Sequence, residues 1–239
     1  MDTDGTWFVF TASALYAFSP NGVKSLIAGH KTETGFADGE GNEARFNEPR
    51  GIAVDNEGTV LVADTNNHAL CKVTLRCGTV STLAGNGEAG YADGIGAAAR
   101  FNEPWATVVD AQGAIFVSNS ENNCLRKWDA SDGAVSTLAG DAEEGPGFAD
   151  GQGAAARFWN PSGMTLDTDG HLIVADSSNN CIRKVTTAEG RVTTVAGSAS
   201  VLSGFADGAA LAARFGCPMG IAVDGNNNIL VADQENHRI

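Results

Sequence analysis

The chain repeats one pattern four times, and this periodicity constrains its fold more than any single residue does. GFADGEGNEARF begins at Gly35, GYADGIGAAARF at Gly90, GFADGQGAAARF at Gly147 and GFADGAALAARF at Gly204, so the starts lie 55, 57 and 57 residues apart. Each block leads to a proline (Pro49, Pro104, Pro161, Pro218) and then to a small-apolar run ending in Asp, such as GIAVD at Gly51 and at Gly220. A turn with Gly and a β-branched run follow: TVLVAD at Thr59, AIFVSN at Ala114, HLIVAD at His171 and NILVAD at Asn228. Next stand TNNHALCKV, SENNCLRKW, SSNNCIRKV and QENHRI, and GTVSTLAG, GAVSTLAG and GRVTTVAG close the unit. Each unit thus holds four Val/Ile/Leu/Thr-rich runs separated by Gly, Asp, Asn or Pro, the signature of strands and turns.

A four-stranded unit at a fixed period predicts an all-β chain, a β-propeller whose blades pack face to face. Runs such as VLVA are apolar on both faces, as suits a strand lying between two neighbouring blades. The first residues look superficially like a secretory leader but carry two acids and no Lys or Arg. They fit the repeat instead: GTWFVFT from Gly5 aligns with GTVLVAD from Gly58, ALYAF with the next strand, and GVKSLIAG from Gly22 with GTVSTLAG. Five blade equivalents are expected, three of them complete, with units at 1–34, 35–89, 90–146, 147–203 and 204–239 in one domain spanning 1–239. Both ends supply the second strand of a unit. The expectation is therefore a five-bladed ring with ragged ends, or a piece of a longer propeller.

Composition narrows the partners. Thirty glycines and only 7% aromatic residues argue for many tight turns and against helix bundles. With 15 Lys and Arg against 29 Asp and Glu, the net charge of -14 opposes phosphate backbones, and nucleic acid is not an expected partner. No apolar stretch approaches the ~18 residues of a membrane-spanning helix, so a soluble protein without direct membrane insertion is expected. The five cysteines include no CxxC pair, which indicates neither a zinc site nor a disulfide framework. The one Asn-x-Ser sequon, at Asn160, is blocked by Pro161. Both features point to an intracellular compartment.

These motifs resemble the NHL repeat family, whose signature turn stands here as Asn67-His68 followed by Ala69-Leu70, and as Asn236-His237. The likeness covers residues 20 to 239 and rests on GIAVD, the LVAD-x-x-NH turn and STLAG recurring at one period. The resemblance implies a propeller with protein or RNA binding as the common role, and enzymes such as a peptide-amidating lyase as the minority. The chain departs from the family in the extra length of the ADGxGxxARF insert, and its signature turn decays to Asn122-Asn123 and Asn179-Asn180.

The insert carries the most patterned chemistry. Asp38, Asp93, Asp150 and Asp207 each precede an arginine by seven residues: Arg45, Arg100, Arg157 and Arg214. If GxxAR forms a short helical turn, the Asp caps its start and the Arg faces its last carbonyls, a repeated salt bridge completed by a Phe plug at Phe46, Phe101, Phe158 and Phe215. A binding role has the four arginines ringing one mouth of the channel and taking acidic groups of a partner.

Glu48, Glu103, Asn160 and Cys217, each before the proline, are expected to be solvated loop residues. The alternative has Glu48, Glu103 and Asn160 converging as oxygen ligands for Ca²⁺, as in propellers of the lactonase class, although Cys217 is a poor ligand for it. The DTDG at Asp2 and at Asp167 is expected to be a two-residue hairpin turn, since it lacks the later Gly and Glu of a calcium loop. His68 and His237 are assigned to turn hydrogen bonding, and His30 and His171 show no evident partner. Cys124 and Cys181 stand in adjacent blades, too far apart for a disulfide. No Ser/His/Asp or Cys/His arrangement recurs. The expected function is a non-catalytic scaffold presenting loops to other proteins, without a cofactor; the alternative is a Ca- or Zn-dependent hydrolase or lyase acting at the axial channel.

Overall fold

A computed structural model describes residues 5–198 and 203–239. Among the described residues it is all-β: five antiparallel sheets follow one another along the chain, and the only helical pieces are three-residue 3-10 turns. The first sheet holds Trp7–Phe10, Ala14–Phe18 and Lys24–Gly29, in the alignment expected for the opening unit. The second sheet runs from Gly51–Val54 through Val60–Asp64 and Ala69–Thr74 to Thr79–Ala84. The third is built in the same way from Pro104–Val109 to Ala134–Ala139, and the fourth from Pro161–Leu166 to Arg191–Gly197. The fifth pairs Pro218–Val223 with Ile229–Asp233.

The three complete sheets have five strands rather than four. Gly39–Glu40, Gly94–Ile95 and Gly151–Gln152, from inside the inserts, add a two-residue strand to the outer edge, beside the last strand of the unit. Two residues cannot bury an apolar face, so no hydrophobic alternation marks this strand in the sequence.

The turn between the first two strands also differs from expectation. Asp167 N–H donates to His171 O while Gly170 N–H donates to Asp167 O, a three-residue loop closed by Gly170 at φ +79°. Asp167 Oδ2 pairs with Lys184 at 2.7 Å, and Oδ1 accepts the N–H groups of Asp169 and His171. Asp55, Asp110 and Asp224 accept the two turn N–H groups in the same way. The matching DTDG at Asp2 begins outside the described residues.

The chain divides into two compact units: Met1–Val117 with Trp128–Val135, and Ser118–Lys127 with Ser136–Ile239. In the first unit one core gathers Leu15, Ala28, Phe46, Val60 and Val62, and a second gathers Leu61, Leu70, Phe101, Ile115 and Val117. Val60–Asp64 contributes to both cores because every one of its residues is buried, as the two-faced apolar run requires. Backbones approach closely where successive first strands meet: a Cβ on Gly51 would lie 2.6 Å from Trp105 O, so only glycine fits. The core of the second unit is built on Ile173, Ala175 and Ile182, with Phe215 and Val231 packed against it.

Candidate functional site

In the second, third and fourth sheets the turn after the second strand holds two side chains that reach the following sheet. Thr65 Oγ1 donates to Pro104 O at 2.7 Å, Ser120 Oγ to Pro161 O at 2.6 Å and Ser177 Oγ to Pro218 O at 2.5 Å. Three residues later the chain enters the left-handed region at His68, Asn123 and Asn180, each with φ between 50° and 54°. These three side chains accept the N–H of the residue before the next proline: Glu103 to His68 Nδ1, Asn160 to Asn123 Oδ1 and Cys217 to Asn180 Oδ1. Burial holds the His68 imidazole below its usual range, with Glu103 acting the other way, which favours the neutral ring that can accept. At the first sheet the turn is too short for such a side chain, and Ala12 O accepts the N–H of Glu48 instead.

The pre-proline residues are thereby fixed through their backbone. Glu48, Glu103, Asn160 and Cys217 all have φ between 48° and 50°, a strained conformation that the cross-sheet bond holds against the extended preference set by the following proline. Glu48 is exposed and the other three are half-buried. Asn160 Nδ2 donates to Glu121 Oε1, and Cys217 is a free thiol raised by burial and by Glu235. Among the described residues no group of three or more His, Cys, Asp and Glu is gathered as a metal set. All five cysteines are free. His30, expected without a partner, accepts the N–H groups of Thr32 and Glu33 through Nδ1, because it opens the loop leading to the first insert.

The inserts fold differently from the expected capped turn. The helical pieces are 3-10 turns at Gly41–Glu43, Gly96–Ala98, Gly153–Ala155 and Ala210–Ala212, and none has a side-chain cap. Asp38 instead accepts Thr82 N–H and Oγ1–H from the last strand of its sheet, at 3.1 and 2.8 Å. Asp150 does the same with Thr194. Nor do Asp38 and Asp150 pair with the arginines seven residues on. Arg45 pairs with Glu33, Arg100 with Glu88 and Arg157 with Glu144. The insert is a tight hairpin, with Ala37 opposite Arg45 and Ala149 opposite Arg157. Its arms bring the arginine beside the loop that precedes the insert. Arg45 does reach the carbonyls of Asn42, Glu43 and Ala44. Arg214 has no matching glutamate, since Ser-Ala-Ser-Val-Leu-Ser precedes its insert.

Below the hairpins Phe46, Phe101 and Phe158 are wholly buried, and Phe215 is partly so. Above them lies a feature that the sequence reading passed over. The aromatic residue of each GFADG or GYADG stays exposed: Phe36 41%, Tyr91 39%, Phe148 42% and Phe205 48%. Each stands two residues before the insert aspartate. Its recurrence in a loop, where no core needs it, was the signal available in the sequence.

The fourth sheet hides a second missed element. Arg183 is fully buried, with NH1 on Asp176 Oδ2 and Arg157 O, and NH2 on Asp150 Oδ1 and Ala149 O. Its guanidinium lies 4.7 Å from the Phe148 ring centroid and 5.1 Å from that of Phe158. Burial raises Asp176 to about 6 against the pull of Arg183, while Asp150 is held low by its Thr194 and Arg183 bonds, which outweigh burial.

Comparison with known proteins agrees with the repeat. The NHL repeat matches at residues 46–73, 101–128, 158–185 and 215–239. NHL repeat-containing protein 2 of Gallus gallus is 31% identical over 237 residues, covering 86% of this chain and 32% of that protein. The chain spans about a third or less of the curated relatives it matches. Among solved structures, an auxiliary nutrient binding protein from Bacteroides thetaiotaomicron superposes with a TM-score of 0.73 at 18% identity, over 98% of this chain and 55% of that one. Virginiamycin B lyase from Staphylococcus aureus gives 0.61 at 16% identity, over 98% and 61%. These two likenesses share the fold.

Proposed function

Because this chain belongs to the NHL-repeat β-propellers, we propose that it is a non-catalytic scaffold whose inserts bind a protein partner. The observation that carries this reading is the recurrence of an exposed aromatic at one repeat position, Phe36, Tyr91, Phe148 and Phe205, each leading an aspartate. Aromatic side chains are the commonest anchors of protein interfaces, because they bury much surface for little lost freedom. Here they stand on hairpins already fixed by Asp38 on Thr82, Arg45 on Glu33 and their counterparts, so little ordering remains to oppose binding. The net charge of -14 selects a partner with a basic surface and speeds encounter with it. The nutrient-binding neighbour and the lyase leave both binding and catalysis open to the fold, and the exposed loops themselves favour binding.

The test is affinity capture from the native source, comparing wild type with a variant carrying serine in place of the four aromatics. Loss of a specific co-purifying protein, with melting temperature held within a few degrees, supports the reading. Capture unchanged by the variant refutes it.

A further inference from the structure

The Arg183 site recurs in the second sheet with its cation missing. Position 183 aligns with Cys71 in ALCKV at Ala69, against CIRKV at Cys181. The groups that hold Arg183 in the fourth sheet are Asp176, Asp150, the carbonyls of Ala149 and Arg157, and the rings of Phe148 and Phe158. Their counterparts in the second sheet are all present: Asp64, Asp38, Ala37, Arg45, Phe36 and Phe46. The frame is kept in detail. Asp64 accepts Asn47 N–H and Asn67 Nδ2–H as Asp176 accepts those of Trp159 and Asn179, and Thr82 binds Asp38 as Thr194 binds Asp150.

Cys71 cannot supply the charge. It is buried, and its thiol is raised well above its usual value by burial and by the nearby Asp64 and Asp38, so it remains neutral. Asp64 is also fully buried, and burial pushes it up to about 7. On the solvent side a cleft of about 480 Å³ opens between Phe36, Asp38, Thr82 and Asn86. Thr82 Oγ1, on its wall, contacts both Asp38 and the Cys71 sulfur.

We propose that this cleft is a binding site for a guanidinium group, supplied by an arginine side chain of a partner polypeptide. The planar cation stacks on Phe36 and donates to Asp38 and to the Ala37 carbonyl, as Arg183 does with Phe148, Asp150 and Ala149. An ammonium ion lacks the fork that serves a carboxylate and a carbonyl together, so lysine is discriminated against. That the occupant belongs to a polypeptide rests on the scaffold reading; the guanidinium site itself does not.

The test is titration of the folded protein with methylguanidinium, with N-acetylarginine methylamide and with methylammonium, each at matched ionic strength, followed by calorimetry or chemical-shift change at Thr82. Saturable binding of both guanidinium probes is expected, with methylammonium at least about tenfold weaker. The variant Cys71→Arg fills the site from within, so it loses this binding while its melting temperature rises. Asp38→Asn weakens binding by about tenfold or more through loss of a charge-assisted bond. No saturable binding to wild type, or equal binding to Cys71→Arg, overturns the site. Binding of methylguanidinium but not of the arginine amide overturns the polypeptide occupant and leaves the scaffold test by capture unaffected.

Discussion

His68 accepts the backbone N–H of Glu103 through Nδ1 at 3.1 Å, thirty-five residues along the chain. Asn123 does the same for Asn160 and Asn180 for Cys217, at 2.9 and 2.8 Å. The relationship explains why histidine and asparagine alternate at this position. Both offer one planar acceptor close to the backbone, and asparagine in particular tolerates the left-handed conformation that the turn needs.

Replacing His68 by Asn therefore keeps the latch and changes stability by less than about 0.5 kcal/mol, whereas His68→Leu leaves the Glu103 N–H unpaired and costs about 1–2 kcal/mol. Urea denaturation of the two variants separates these outcomes. Protonation acts like the leucine change, because the folded imidazole titrates below the unfolded value of 6.5. The latch is complete above that pH and is lost as pH falls through the lower folded value.

Asp64 has the opposite dependence. Its folded pKa of about 7 lies above the unfolded 3.8, so its contribution is complete at low pH and is lost as pH rises through 7. Asp64→Asn keeps the acceptor for Asn47 N–H and removes the titration. The stability of this variant relative to wild type is expected to climb between pH 4 and 8, by on the order of 2–4 kcal/mol. Thermal melts across that range check it.

Arg183→Leu removes the cation from between Asp150 and the buried Asp176 and is expected to cost about 3–5 kcal/mol. Adding Asp176→Asn recovers part of the loss, since the charge left behind is the main penalty.

The insert arginines behave otherwise. Glu88→Ala, at a partner of Arg100 that is 72% exposed, changes stability by well under 1 kcal/mol. A loss of several kcal/mol on denaturation would show that this pair carries the insert.

The strands were legible because their apolar runs and turn residues recur at one period, as Val60–Asp64 and Leu172–Asp176 illustrate. The partners of the charged insert residues were not, because charge spacing along a chain does not report a hairpin. Asp38 and Arg45 lie on opposite arms of one, and each reaches a different segment. Arg183 was not singled out in CIRKV, where it stands next to Lys184 and the sequence does not tell which of the two points inward. Only the contrast with Cys71, in the same register of another repeat, marks the position as special.

The most direct measurement of the scaffold account is the affinity of the captured partner for wild type and for the four-serine variant at Phe36, Tyr91, Phe148 and Phe205. The account predicts at least a tenfold loss, about 1.4 kcal/mol or more, with the fold intact by melting temperature. Equal affinity for both proteins would contradict it.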